Sequence, residues 1–525
     1  MTGDARPRSR LGWLLAAVAA LALCALLLTV VRRPLTAPPA PTAHPTAVAL
    51  QPILATSAPA PAPTATTQPT AKPLDLPMLA RTFDAEAALA EIEQLCRPEF
   101  GGRQAGAAGG RAAAEYIAGR FAALGLQPAG DGGSYLQELT VPLVELSTVP
   151  RLTLTNGDGR AFEGRFPEDV SPIINGAAGP GAAEGPLVWA GHGAAADLVG
   201  VDLAGAMIVC RLPVDPSIYH LARDRGAAGL LIVCEDAAPM LMGRVARETT
   251  AAPRAYPAAY VGPDATAFIL AGSGHTLSEL ERREGAVPLA GRGRLEVAAR
   301  QAAQAGAQNV LGVLLGGDAA HRSEVIVLGA HYDHLGRWPD GTFFAGANDN
   351  ASGVAALLEI ARTWQAASYI PARTVLFAAW DGEEQGMLGS QYYVRHATLP
   401  LNRVEAMLQL DMVGVSPRPV LYIDGDGLVA DHALAAAAEL GVAAEPSDIG
   451  RSDHASFRHA GIPATMFISA AVDTGDYHRA SDTPETIDLE YLGQSGVLAE
   501  LVALRLSMAE PVPVWQPLPA AAPSP

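Results

Sequence analysis

From residue 81 onward the apolar positions follow two different rhythms, and the change between them divides the chain. Asp84 to Leu95 and Arg111 to Leu124 repeat apolar residues at helical spacing, with Asp84 where an N-cap belongs and Gly125 where a helix stops. Between them PEFGGRQAG is a glycine-rich loop. After SYLQEL, residues 140 to 295 hold short apolar runs broken by Gly and Pro. Within that stretch AMIVCRL, a helix predicted over Ile218 to Arg225, and GAAGLLIVCED read as strand, helix, strand. From residue 300 strands and helices alternate. SEVIVLGA is a β-branched run ending at His331, Ala351 to Gln365 carries a helical apolar face, and RTVLFAAW ends just before Asp381. EAMLQL ends at Asp411, and PATMFIS is a later strand. This alternation predicts an α/β fold, a mixed and largely parallel β-sheet covered by helices, interrupted by a β-rich insert. In such sheets ligands collect beyond the carboxyl ends of the strands.

The N-terminus has a third texture. Leu11 to Val31 is apolar and long enough to cross a bilayer, which takes about 20 residues. Arg6, Arg8 and Arg10 precede it and Arg32 and Arg33 follow, a weak bias that places residues 1–10 in the cytoplasm. A cleaved signal peptide has a shorter apolar core and a small-x-small exit, which Val30-Val31-Arg32-Arg33 does not offer. The expectation is a transmembrane signal anchor at 11–31 with the body outside the cytoplasm, at the cell surface or in the periplasm. The alternative is a secreted protein released from a long signal peptide. Residues 32–80 are a Pro/Ala/Thr-rich spacer, and 509–525 a Pro/Ala-rich tail without the apolar content to fold.

Charge and cysteine content narrow the class. A net charge of −18 argues against a nucleic-acid partner, and Lys72 is the only lysine. Four cysteines are few for a disulfide scaffold. Cys210 and Cys234 each end an apolar run and are either a disulfide between neighbouring strands or two buried thiols.

Candidate chemistry lies in the second half, in order along the chain: His331, Asp349, Glu384, Asp411 and His478. Two histidines and three carboxylates, one shared, can hold two zinc-like ions about 3.5–4 Å apart and activate water. A histidine at a strand end is more often structural, but Asp333 in HYDH can orient the imidazole of His331. In GANDNASG, Asp349 reads as a turn or N-cap residue or as a bridging carboxylate, with Gly346 and Gly353 allowing close backbone approach. Adjacent glutamates usually share a solvated helix face. In WDGEEQGMLGS they instead follow a strand among glycines, so that Glu384 can bind metal while Glu383 faces the water as general base. Asp411 ends a hydrophobic run, where an unpaired charge is costly. In DYHRASDT, Asp482 is a partner candidate for His478, and Tyr477 either packs or points its hydroxyl at a developing oxyanion. Asp453 and His454 in RSDHASF read as pocket-shaping residues rather than ligands.

GAHYDH, GANDNASG, WDGEEQGMLGS, QLDMVG and DYHRASDT, in this order, resemble the M28 family of co-catalytic zinc aminopeptidases and carboxypeptidases. The resemblance covers residues 81–135 and 300–508, and residues 140–295 look like the protease-associated domain often inserted in that family. It implies two Zn2+ ions, one held by His331 and Asp411 and the other by Glu384 and His478. Asp349 would bridge them and Glu383 would shuttle the proton. The implied activity is hydrolysis of peptide substrates at a chain end, with the membrane contacted through the anchor. Manganese or cobalt could replace zinc on such ligands. One rival is a carboxypeptidase or dipeptidase of the same fold, using Arg337, Arg451 or Arg479 for the terminal carboxylate. The other is a tethered peptide-binding protein with a structural zinc site, which would have no use for Glu383. No sequence feature sets side-chain preference or oligomeric state.

Overall fold

The computed structural model describes residues 75–175, 177–234, 255–425, 427–448, 450–469 and 475–509. The expected anchor at 11–31, nearly all of the spacer and nearly all of the tail lie outside the described residues. Among the described residues no helix is long and apolar enough to cross a membrane. The folded body begins earlier than the boundary read at residue 81. Asp75 caps a short helix, Leu76–Ala80, through a hydrogen bond from the Met78 amide, and Leu79 and Ala80 are buried.

Nine described strands form the first sheet. Its centre is parallel: Thr374–Trp380, Val325–His331, Val404–Leu410 and Ala464–Ile468 lie side by side in that order. All seven residues of Val325–His331 are buried, which explains why its sequence is continuously apolar rather than alternating. Ile326, Leu328 and Ala330 pack beneath the helices Ala85–Leu95, Ala108–Ala123, Ser352–Ala366 and Leu489–Ser507. Val325 and Val327 face the opposite layer with Trp380, Tyr393 and Phe457. Each fully buried Leu, Ile, Val or Phe contributes roughly 1.5–3 kcal/mol, so the two faces together hold the strands in register. The N-cap read at Asp84 is present, its carboxylate accepting from the Glu86 and Ala87 amides. Glycine at position 125, with φ +74, follows the helix Ala108–Ala123 and its cap Leu124.

The second sheet has eight described strands, all between Arg151 and Val297. Its strand–helix–strand unit is Met207–Arg211, Ile218–Asp224 and Gly229–Val233, with the two strands parallel neighbours. Cys210 and Cys234 are free buried thiols rather than a disulfide. Two long antiparallel strands, Leu136–Leu146 and Ala299–Leu314, connect the sheets. They belong to the first sheet, so the chain leaves and re-enters it along one paired ribbon. Aromatic packing adds a contact, with Phe166 of the insert and Trp338 of the body 5.0 Å apart between ring centroids.

Candidate metal centre

The parallel strands deliver their carboxyl ends to one place. His331 is the last residue of Val325–His331, Asp411 follows Val404–Leu410, and Glu383 and Glu384 follow Thr374–Trp380. Asp349 sits in the turn Ala347–Ala351 that feeds the helix Ser352–Ala366. His478 arrives from a loop and holds φ +58, a conformation that costs a non-glycine residue energy and marks a site where geometry matters more than local comfort. Glycine is required beside Asp349. At Gly346, φ +59, a Cβ would lie 2.3 Å from the Asp349 carbonyl oxygen and 2.5 Å from the His334 ring.

The five predicted donors converge as two groups sharing one carboxylate. His331 Nε2 lies 3.3 Å from Asp411 Oδ1 and 3.5 Å from Asp349 Oδ1. On the other side His478 Nε2 lies 3.0 Å from Asp349 Oδ2 and 3.2 Å from Glu384 Oε1. Asp349 thus gives one oxygen to each group. All five residues are buried.

The donor set fits a pair of cations. Ligands about 2.0–2.1 Å from a four-coordinate ion stand about 3.3 Å apart, the spacing seen in both groups. His331 Nδ1 donates to the Asp333 carbonyl oxygen at 3.2 Å, which leaves its Nε2 facing two carboxylate oxygens. Burial opposes charge on this ring, yet Asp411 and Asp333 lift its pKa well above the usual value, so the group of donors draws positive charge. Asp349 Oδ2 accepts no aligned hydrogen bond although His478 Nε2 is close. Burial opposes charge on His478, yet Glu384 and Asp349 outweigh it and lift its pKa to about 9. Desolvation, then the charges of Glu384, Asp411 and Asp453, push the Glu383 carboxyl well above the usual range, with His331 opposing.

Around the donors, backbone hydrogen bonds set position. Asp333 was read as the group orienting His331. Its carbonyl does so, while its carboxylate accepts from the Glu383 and Glu384 amides at 3.0 and 3.2 Å and lies 3.6 Å from His331 Nδ1. Asp482, a partner candidate for His478, has a carboxylate that accepts from the Asn348 and Asp349 amides at 2.8 and 3.0 Å and so holds the turn that carries Asp349. Tyr477 stacks on His478, with ring centroids 3.7 Å apart, and lines the cavity over the donors. His454 pairs with Asp424 at 3.1 Å, and Asp453 accepts from Gln409, so both support the floor without joining the donors.

Two residues escaped the sequence reading. Arg103, fully buried in the PEFGGRQAG loop, donates to the carbonyl oxygens of Tyr332, Leu95, Ala345 and Gly346 at 2.6–3.0 Å, tying together the loops that carry His331 and Asp349. Its glycine-rich setting signalled a loop but not an inward side chain. The other is His334, whose Nδ1 lies 3.1 Å from Glu384 Oε1 and 3.8 Å from Asp349 Oδ2. HYDH places it three residues beyond His331, and only the fold shows that it faces the same donors.

The cavity above the donors encloses about 570 Å3. Five carboxylates line it, from Asp349, Glu383, Glu384, Asp411 and Asp448, against two guanidinium groups, Arg418 and Arg451. Met412, Met466 and Ile468 supply an apolar wall.

Residues 309–502 match peptidase family M28. The matched span includes every donor named above. Aminopeptidase YwaD of Bacillus subtilis is 34% identical over 204 residues, which are 36% of this chain and 43% of that protein. Leupeptin-inactivating enzyme 1 of Streptomyces exfoliatus is 37% identical over 163 residues, 30% of this chain and 34% of its own length. The chain thus matches less than half the length of these two relatives. The likeness of folds extends further. The aminopeptidase from Aneurinibacillus sp. strain AM-1 superposes with a TM-score of 0.63 at 23% identity, covering 85% of this chain and 98% of that one. The zinc aminopeptidase BSAP from Bacillus subtilis gives 0.59 at 23% identity, covering 83% and 98%. The mixed α/β fold is therefore that of the M28 aminopeptidases.

Proposed function

We propose that the protein is a zinc-dependent aminopeptidase that hydrolyses the first peptide bond of its substrate. The observation that carries this reading is Asp349, placing one oxygen in each of two donor groups beside an unligated carboxylate, Glu383. Two zinc ions there would lower the pKa of water towards neutrality and polarise the substrate carbonyl. Glu383 accepts the proton and passes it to the leaving amine, for which its raised affinity for protons suits it. Tyr477 turns its hydroxyl towards the oxyanion, and the excess of carboxylates receives the substrate's ammonium group. Met412, Met466 and Ile468 favour an apolar first residue. On the same reading Leu11–Val31 anchors the protein with its body outside the cytoplasm, and the second sheet is a protease-associated domain.

A second reading has support in the same cavity. Arg418 and Arg451 could receive a terminal carboxylate, as a carboxypeptidase or dipeptidase requires. Arg337 is committed elsewhere, over the Phe343 ring and to the Pro98 carbonyl oxygen. Aminoacyl-nitroanilides and N-acylated dipeptides, each with and without chelator, separate the two. The aminopeptidase reading predicts chelator-sensitive cleavage of the first set alone. Cleavage confined to the acylated set establishes the carboxypeptidase.

A further inference from the structure

We propose that His334 is a third histidine ligand of the metal centre, joining Glu384 and His478 on one side of Asp349. The inference rests on the two-metal reading above and deepens it by making the two subsites unequal. His334 is fully buried, and its Nδ1 faces the same two oxygens that His478 Nε2 faces. The four separations are 3.1 and 3.8 Å for His334 and 3.2 and 3.0 Å for His478, to Glu384 Oε1 and Asp349 Oδ2 respectively. The imidazole rings approach edge to face, with centroids 5.9 Å apart and an angle of 60°. The four nitrogen–oxygen separations are close to the edges of about 3.3 Å of a zinc coordination polyhedron, and His334, Asp349 and Glu384 each place a donor atom within 4.8 Å of the other two. If His334 only donated a hydrogen bond to Glu384, one carboxylate oxygen would be receiving two imidazoles while Asp349 Oδ2 still went without an aligned donor. A cation at the convergence satisfies all four groups at once.

The consequence is an asymmetric pair. The subsite of Glu384, His478, His334 and Asp349 has four protein donors. The subsite of His331, Asp411 and Asp349 has three and keeps a position open. The first is the site that fills first and holds its ion more tightly. The second, with Glu383 nearby, exchanges its ion more readily and is the one that presents water.

The test is zinc binding to the full chain, stripped with chelator and titrated in competition with a chromophoric chelator. Zinc X-ray absorption is recorded at one and at two equivalents to count imidazoles. The inference predicts two imidazoles per zinc at one equivalent and three per two zincs at two equivalents. His334→Asn keeps an N–H near the position of Nδ1, and His334→Phe removes it. Both should weaken the tighter step by at least about tenfold and lower the count at one equivalent to one. An imidazole count of one per zinc in the wild-type chain at both loadings overturns the inference, whether or not either variant folds. So does a His334→Asn variant that binds with wild-type affinities. A wild-type chain that binds no zinc overturns the two-metal reading itself, a different result from a low imidazole count.

Discussion

Asp349 shows what a single residue can and cannot reveal before the fold is known. Its neighbours Gly346 and Gly353 announce tight backbone, and both positions leave no room for a side chain: a Cβ at Gly353 would lie 2.3 Å from the Leu410 carbonyl oxygen. That one of its oxygens faces His331 and the other His478 depends on residues distant in sequence. The five donors were legible because all are metal-ligand types of residue and most sit at the end of an apolar run or in a glycine-rich turn. His334 and Arg103 were not, since nothing in HYDH or PEFGGRQAG says which way a side chain turns. The groups that fix the donors are largely backbone amides and carbonyls, which leave no mark in a sequence. Away from the site, Glu500 is a buried carboxyl whose Oε1 accepts from Thr363 at 2.6 Å while Oε2 has no partner. Burial, then the charge of Glu359, raises its pKa to about 8. A folded-state pKa above the unfolded value of about 4.3 means that its contribution is fully present below that value and is lost as pH rises towards 8. Glu500→Gln has no such loss. Its thermal midpoint, measured against wild type, should gain several degrees between pH 5 and pH 9; a gap independent of pH would show that Glu500 is ionised in the folded protein.

At the scale of elements, the buried parallel strands were the easiest to read, because strands covered on both faces are apolar throughout and stop where the chemistry begins. The ribbon of Leu136–Leu146 and Ala299–Leu314 was hidden. The first half of Ala299–Leu314 runs ARQAAQAG, small and polar residues without a two-residue period, and it forms a strand because its partner supplies the hydrogen bonds. That is also why residues 140–146 and 299, read near the edge of the insert, belong to the first sheet. Arg103 acts at this scale, since four carbonyls from three separate segments depend on one guanidinium. Leaving a buried carbonyl without a donor costs about 1–3 kcal/mol, and lysine cannot reach all four. Arg103→Lys should therefore lower the thermal midpoint and weaken zinc binding by roughly 10–100-fold, as loss of a positioning group does. Calorimetry with zinc titration reads both effects; unchanged zinc affinity would reduce Arg103 to a stabilising residue.

In the whole molecule, two sheets share one connecting ribbon and an aromatic contact at Trp338, which follows His331 and His334 in the same loop. The insert thus touches the loop that carries two of the histidines, while the body gathers the remaining donors from strand ends across the first sheet. Under the proposed function, catalysis comes from that gathering, with Glu383 lining the same cavity as the donors. The most direct test compares wild type with Glu383→Gln for zinc content and for turnover of an aminoacyl-nitroanilide. Both proteins should hold two zinc ions per chain, and turnover in the variant should fall by roughly 10²–10⁴-fold. A variant that hydrolyses the substrate at the wild-type rate would contradict it.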